Sequence, residues 1–281
     1  LPGLDRDEIR RWYNGYNWLG VGVYNPFDVL LLFDSRQFKA HWFDTGTPTF
    51  LVRLLAEQSW FTPDLARLQA DEMELMSFEV EQIGAVALLF QAGYLSVHAA
   101  EETETRELIY TLGYPNREVE MSLNRVLLPG YGVPMRSASL QRQALMKALR
   151  ERDGLGMETA LRALFASIPS DWYRRNPLAG FEGHYASVFY SHLAGLGLDL
   201  QVEDATSHGR IDLTLRLCAQ VFLFEFKVVA DAPEGHALQQ IRDKRYAEKY
   251  LGRGATVHLI GIEFSRTARN VVGFEIETLQ G

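Results

Sequence analysis

A chain of 281 residues with 47% hydrophobic and 23% charged side chains can bury a sizeable core, which excludes a disordered or fibrous protein. Its net charge of −8 argues against broad, non-specific nucleic-acid binding but leaves room for a local basic groove beside a bound cation. A single cysteine, Cys218, excludes an internal disulfide, and no apolar run reaches the roughly 18 residues that span a bilayer, so no membrane contact is expected.

With no signal peptide visible, a reducing cytoplasm is the expected location. The opening LPGLDRDEIR lacks a methionine and reads as a trimmed chain or a fragment. DRDEIRRWYNGY predicts a short amphipathic helix closing at Gly15. NPFDVLLLF predicts a helix with Asn25 as N-cap and Pro26 in its first turn, and TGTPTFLVRLLAEQ a third, capped by Thr47. Packing between these helices accounts for Trp12, Tyr13, Tyr16, Trp18, Trp42 and Phe43 more simply than base stacking does.

SFEVEQIGAVALLFQAGYLSVHAA predicts a helix ending near Gly93, then a strand; the charged turn EETETRE leads to a second strand, LIYTLGYP. A helix followed by a two-stranded ribbon fits a winged-helix-like module. Its helix carries no basic residue and its turn is acidic, so protein contact suits it better than DNA reading. EVEMSLNRVLL is another helix. LPGYGVPM is rich in Pro and Gly and reads as a linker, and two amphipathic helices broken at Gly154 and Gly156 follow.

From about residue 171 the pattern becomes mixed α/β. A helix (FEGHYASVFYSHLAGLG) precedes strands LDLQVEDAT, GRIDLTLRL and QVFLFEFKVV; the helix GHALQQIRDKRYAEKYL, closing at Gly252, precedes strands ATVHLIGIEF and NVVGFEIETL. In VFLFEFKVVA, strand alternation puts Glu225 and Lys227 on one face and Phe224, Phe226 and Val228 on the other. Charge in so apolar a strand is costly unless paired or metal-bound. If the GRIDLTL strand pairs with it as a hairpin, Asp212 lies opposite. Two carboxylates so close oppose each other's ionisation, and a divalent cation between them removes the conflict. Oxygen donors suit Mg²⁺ or Mn²⁺, ions that polarise a phosphodiester and lower the pKa of a bound water. Lys227 would then stabilise charge on the phosphate or position the attacking water. Glu182 shares a helix face with Tyr185, Ala186, Phe189 and Leu193 and can reach the same site from its edge. Gln240 and Lys244, one turn apart, can orient water or contact phosphate. Arg242, Lys244, Arg245 and Lys249 form a basic helix face interleaved with acids, either solvated or phosphate-binding.

The segments RRWYNGYNW, VYNPFDVL, WFDTGTPTFL, LLFQAGYLSV, LGYPNREVE, EGHYASVFY, GRIDLTL, FLFEFK and ALQQIRDKRYAEKY occur here in the order seen in a bacterial family. The chain resembles that family along nearly its whole length. Its members pair an N-terminal AAA-type ATPase-like domain with a C-terminal PD-(D/E)XK nuclease-like domain. The resemblance implies catalytic roles for Glu182, Asp212, Glu225, Lys227 and Gln240, with metal held by Asp212, Glu225 and Glu182 and substrate contacts from Lys244, Arg242 and Arg245. It departs upstream: no G-x-x-x-x-G-K-[ST] loop is present, and DTGTPT lacks the phosphate-binding lysine, so no ATPase activity is expected.

The expected fold is α/β, a restriction-endonuclease-like mixed sheet flanked by helices, after a mainly helical region with a winged-helix-like ribbon. The expected division is 1–70, an ATPase-like helical remnant; 71–128, the winged-helix-like module; 129–170, a helical linker; and 171–281, the nuclease-like domain, whose net charge is −2. The expected function is metal-dependent hydrolysis of nucleic acid, with DNA favoured. The alternative is a non-catalytic binding or interaction module that keeps the fold. Expected partners are nucleic acid and an ATPase domain or a second copy. The seven histidines show no metal-ligand spacing, and Cys218 reads as a buried, inert strand residue.

Overall fold

The structure is a computed structural model that describes residues 3–41, 49–57, 60–76, 84–175, 182–252 and 254–280. The chain forms two compact units, Leu1–Gly130 and Tyr131–Gly281.

In the first unit the helix Arg6–Tyr13 ends two residues before Gly15, because the chain leaves it as strand β1 (Asn14–Tyr16), paired with β2 (Val23–Tyr24). The helix Pro26–Ser35 forms as expected, with Asn25 Oδ1 accepting from Phe27 N at 3.1 Å. Thr49–Glu57 is helical, while its expected cap, Thr47, and the DTGTPT loop lie mostly outside the described residues. Of the aromatic cluster, Trp12 packs on Tyr13 and Phe38, and Trp18 on Phe90 and Tyr110; Trp42 and Phe43 lie outside the described residues.

The described part of the next expected helix spans Ala85–Gln91, and residues 77–83 before it lie outside the described set. The ribbon is present as β4 (Ser96–Glu102) and β5 (Leu108–Gly113). It gains a strand that the sequence did not announce: β3 (Leu68–Asp71) pairs antiparallel with β5, giving the order β3-β5-β4. A four-residue strand has too few alternations to stand out from a loop. The helix Arg117–Leu127, capped by Asn116, completes the unit.

In the second unit the helices Met135–Glu151 and Gly154–Ala166 break at Arg152, whose φ is 60°, rather than at the glycines. Gly154 and Gly156 lie inside the second helix. A Cβ on Gly156 would stand 2.4 Å from the capping carboxylate of Asp153, so the glycine makes room for the cap.

After the helices Ser170–Arg175 and Glu182–Ala194 come β6 (Asp199–Thr206), β7 (Gly209–Leu217) and β8 (Gln220–Val229). The helix His236–Asp243 leads to β9 (Thr256–Ser265) and β10 (Asn270–Leu279). The sheet order is β10-β9-β8-β7-β6, antiparallel except for β8 and β9. A parallel pair needs a crossover, and His236–Asp243 supplies it. This mixed α/β unit is the expected fold class.

Strand β8 is central and buried on both faces. One face carries Val221 and Leu223, packed with Leu238, Ile241, Val257 and Leu259 beneath the crossover helix. The other carries Phe224 and Phe226, whose rings meet Phe189 of Glu182–Ala194 edge to face. Each such side chain contributes roughly 1.5–3 kcal/mol on burial.

The crossover helix lies very close to the sheet at Gly261 on β9, where an added Cβ would stand 2.3 Å from Leu238 N. Gly261→Ala is expected to push the helix off the sheet and to cost about 1–3 kcal/mol in urea denaturation. Unchanged stability would show that this contact is not tight.

Candidate active site

The β7–β8 ladder runs from Leu217↔Gln220 to Leu213↔Phe224 and stops. Continued, it would set Asp212 against Glu225. Instead β7 stays with β6 through Ile211, Arg210 and Gly209, while β8 stays with β9 as far as Val229↔Ser265. The two strands fork. At the fork the Asp212 carboxylate replaces a ladder acceptor: Phe226 N donates to its Oδ2 at 2.8 Å.

Glu225 lies beside it and is 1% exposed. Its Oε1 accepts from Gln240 Nε2 and stands 3.7 Å from Lys227 Nζ. Among the described residues its Oε2 is buried without a hydrogen-bond partner, which is costly for a carboxylate. Burial first, and the negative charge of Asp212 second, push the Glu225 carboxyl up to about 8, against the opposing pull of Lys227, the Asp212 backbone N–H and Gln240. The Lys227 side chain is 35% exposed and stands at the mouth.

Gln240 is held in register by Glu263 on β9. The Glu263 Oε2 accepts from Glu234 N and Gly235 N, and its Oε1 from His236 N and Ala237 N at 2.7 and 3.3 Å. Burial alone would raise the pKa of Glu263, but these four N–H groups outweigh it and hold the carboxyl below its ordinary value. A strand carboxylate thus caps the crossover helix and ties it to the sheet.

The structure therefore brings together Asp212, Glu225, Lys227 and Gln240. Glu182 begins the helix on the opposite face of β8, and its side chain lies outside the described residues. Arg242 is engaged by Glu277 of β10 at 2.6 and 2.7 Å. Lys244 closes the crossover helix, which is shorter than the sequence suggests. Arg245, with φ 48°, breaks it, and Tyr246–Lys249 form a separate 3₁₀ turn. His184 stacks on Trp172, a packing role. Cys218 is exposed at the β7–β8 turn rather than buried in a strand, because the hairpin turns there with Cys218 at φ 55°.

Two residues escaped the sequence reading. Tyr246 is buried near the fork: burial raises its pKa, as do the charges of Glu225 and Asp212, while hydrogen bonds from Gln240 and the Arg210 backbone oppose them. Six residues on from Gln240, it would face elsewhere on a continuous helix; the left-handed Arg245 brings it in. Asp204 is fully buried and accepts from Thr214 Oγ1 at 2.9 Å, Lys249 Nζ and Tyr250 OH. Its only signal was an acid in a half-apolar strand.

Among the described residues no group of three or more His, Cys, Asp or Glu side chains is arranged to hold a metal ion. The pair Asp212–Glu225 still fits a hard divalent cation. Mg²⁺ commonly takes one or two carboxylates and completes its shell with water and phosphate oxygens. The unpartnered Oε2 beside a second carboxylate is the donor set such an ion needs.

The unit is thus a mixed five-stranded sheet with two acids at a strand fork and a lysine two residues beyond the second. Residues 180–274 match the family model of the PD-(D/E)XK nuclease superfamily, and this segment is a domain of that superfamily. A relative from Azotobacter chroococcum mcd 1, described as "Uncharacterized protein in vnfD 5'region", is 56% identical over 279 residues, covering 99% of this chain and 54% of the relative. The chain thus spans about half the length of that curated relative. No solved structure matches. Among the described residues no helix is long and apolar enough to cross a membrane.

The raised Glu225 pKa has a definite sign. The native state holds a proton that the unfolded chain releases from about pH 4.3 upward, so the metal-free protein should lose stability as pH rises towards about 8 and level off above it. Glu225→Gln is expected to flatten that slope and to raise the melting temperature at pH 8 in EDTA. Parallel wild-type and variant melting curves across pH 5–9 would contradict this.

Proposed function

We propose that this chain hydrolyses phosphodiester bonds in nucleic acid, DNA above all, at the fork between β7 and β8. The open Glu225 Oε2 beside Asp212 carries the reading, because a buried carboxyl next to a second acid ionises readily only when a cation offsets the charge. Asp212 and Glu225 would hold Mg²⁺ or Mn²⁺, with Glu182 as a third ligand. When bound, such an ion polarises the phosphodiester and lowers the pKa of an attacking water.

The chain's own residues divide the remaining work. Gln240 and Lys227 both engage Glu225 Oε1, which leaves Oε2 for the ion. Lys227 also stands exposed enough to meet a phosphate and offset the charge that develops on it. Lys244 and Arg245 are the substrate contacts; Arg242, engaged by Glu277, is the weaker of the three. An ATPase-type domain belongs to this reading as a partner. The rival reading is a non-catalytic binding or interaction module on the same fold.

Mn²⁺ titration separates the two. At a hundredfold excess over Kd it should stabilise the wild type by about 2.7 kcal/mol, and Asp212→Ala should abolish the shift. In cleavage assays on single- and double-stranded DNA and RNA, Asp212→Ala and Lys227→Ala should each lose ~10²-fold or more. Equal Mn²⁺ responses in wild type and Asp212→Ala, or activity that survives both variants, would refute the site.

A further inference from the structure

A cavity of about 450 Å³ opens beside the β6–β7 turn, lined by Ala205, Thr206, Ser207, Arg245, Glu248 and Lys249. We propose that it is a subsite for one backbone phosphate of the nucleic-acid substrate, next to the fork; this rests on the nuclease reading above. Three observations converge on it.

The first is position. The β6–β7 turn and Asp212 lie at the same end of the sheet, since β7 begins at Gly209. Tyr246 joins the two places. A Cβ on Gly209 would stand 3.0 Å from the Tyr246 hydroxyl, and the same residue feels the charges of Glu225 and Asp212. The left-handed Arg245 divides the chain so that Arg245 lines the cavity and Tyr246 turns towards the carboxylates.

The second is donor capacity. Lys249 Nζ has three N–H groups; two engage Asp204 Oδ1 and the Ala205 carbonyl, and the third makes no hydrogen bond among the described residues, the ammonium lying 5.5 Å from the Tyr250 ring centroid. Arg245 makes one long ion pair, to Glu248 at 3.9 Å, and has donors to spare for the paired oxygens of a phosphate. Ser207 adds a hydroxyl at the rim.

The third is charge. Asp204 is held inside the fold, while Glu248 lines the cavity but is exposed, so solvent screens its charge. Asp204 is buried under Lys249, Tyr250 and Thr214. Glu248 stands between Arg245 and His208, 3.6 Å from His208 Nε2. A phosphodiester can take the Arg245 guanidinium without stranding a buried partner, because that pair is exposed and weak.

The test is fluorescence anisotropy with ~20-nucleotide single- and double-stranded oligonucleotides in EDTA, which prevents cleavage. Arg245→Gln should weaken binding by roughly threefold to tenfold and lower the salt slope by about 1. Arg136→Gln, at an exposed arginine on the helix Met135–Glu151, should leave both unchanged. The Mn²⁺ melting shift should persist in Arg245→Gln, so failure of this subsite stays distinct from failure of the metal site. Equal effects of Arg245→Gln and Arg136→Gln, or no oligonucleotide binding by the wild type, would overturn the proposal. So would a melting shift with inorganic phosphate that vanishes in Arg245→Gln while oligonucleotide binding is untouched, because the cavity would then serve a free anion.

Discussion

The proposed chemistry turns on one missing rung. Where β7 and β8 should pair at Asp212 and Glu225, they part, and a carboxylate takes the place of a backbone acceptor on Phe226 N. A regular ladder would hold two strands at hydrogen-bonding distance with no gap between them. The fork instead places two acids side by side within the sheet. The burial of Glu225 and the charge of Asp212 beside it hold the Glu225 carboxyl protonated at neutral pH unless a cation offsets the charge.

Everything around the fork serves to keep it in register. Strand β8 is locked by β9 along its whole length and by apolar packing on both faces. The crossover helix rests on Gly261 and is tied by Glu263, so Gln240 meets Glu225 through a rigid path from one strand to the next. Glu263 and Glu225 are both buried acids two rungs apart in the parallel register, yet their environments push them in opposite directions. Four backbone donors satisfy the first; the second keeps an open oxygen. That contrast separates an acid that ties the fold together from the acid proposed to meet a cation.

Much of this was legible in the residues. Alternation in VFLFEFKVVA is enough to put Glu225 and Lys227 on one face, and the order of helices and strands from Glu182 onward is as expected, with the short helix Ser170–Arg175 added before it. Three features were not legible, for physical reasons. The fork depends on where a ladder ends, and composition does not encode that. Tyr246 enters the site only because Arg245 adopts a left-handed conformation that helical periodicity does not anticipate. Strand β3 exists because β5 offers it an edge, a tertiary effect that overrides a weak local signal. The expected division of the chain into four parts and the structure's two compact units describe different things: segments of sequence pattern, and bodies of contact.

The central claim is that Asp212 and Glu225 share a divalent cation. Anomalous diffraction from crystals soaked in Mn²⁺ tests it most directly. The account predicts one strong peak within coordination distance of an Asp212 oxygen and Glu225 Oε2, with Lys227 alongside. Density between those carboxylates that shows no anomalous signal, while Mn²⁺ binds elsewhere on the chain, would contradict it.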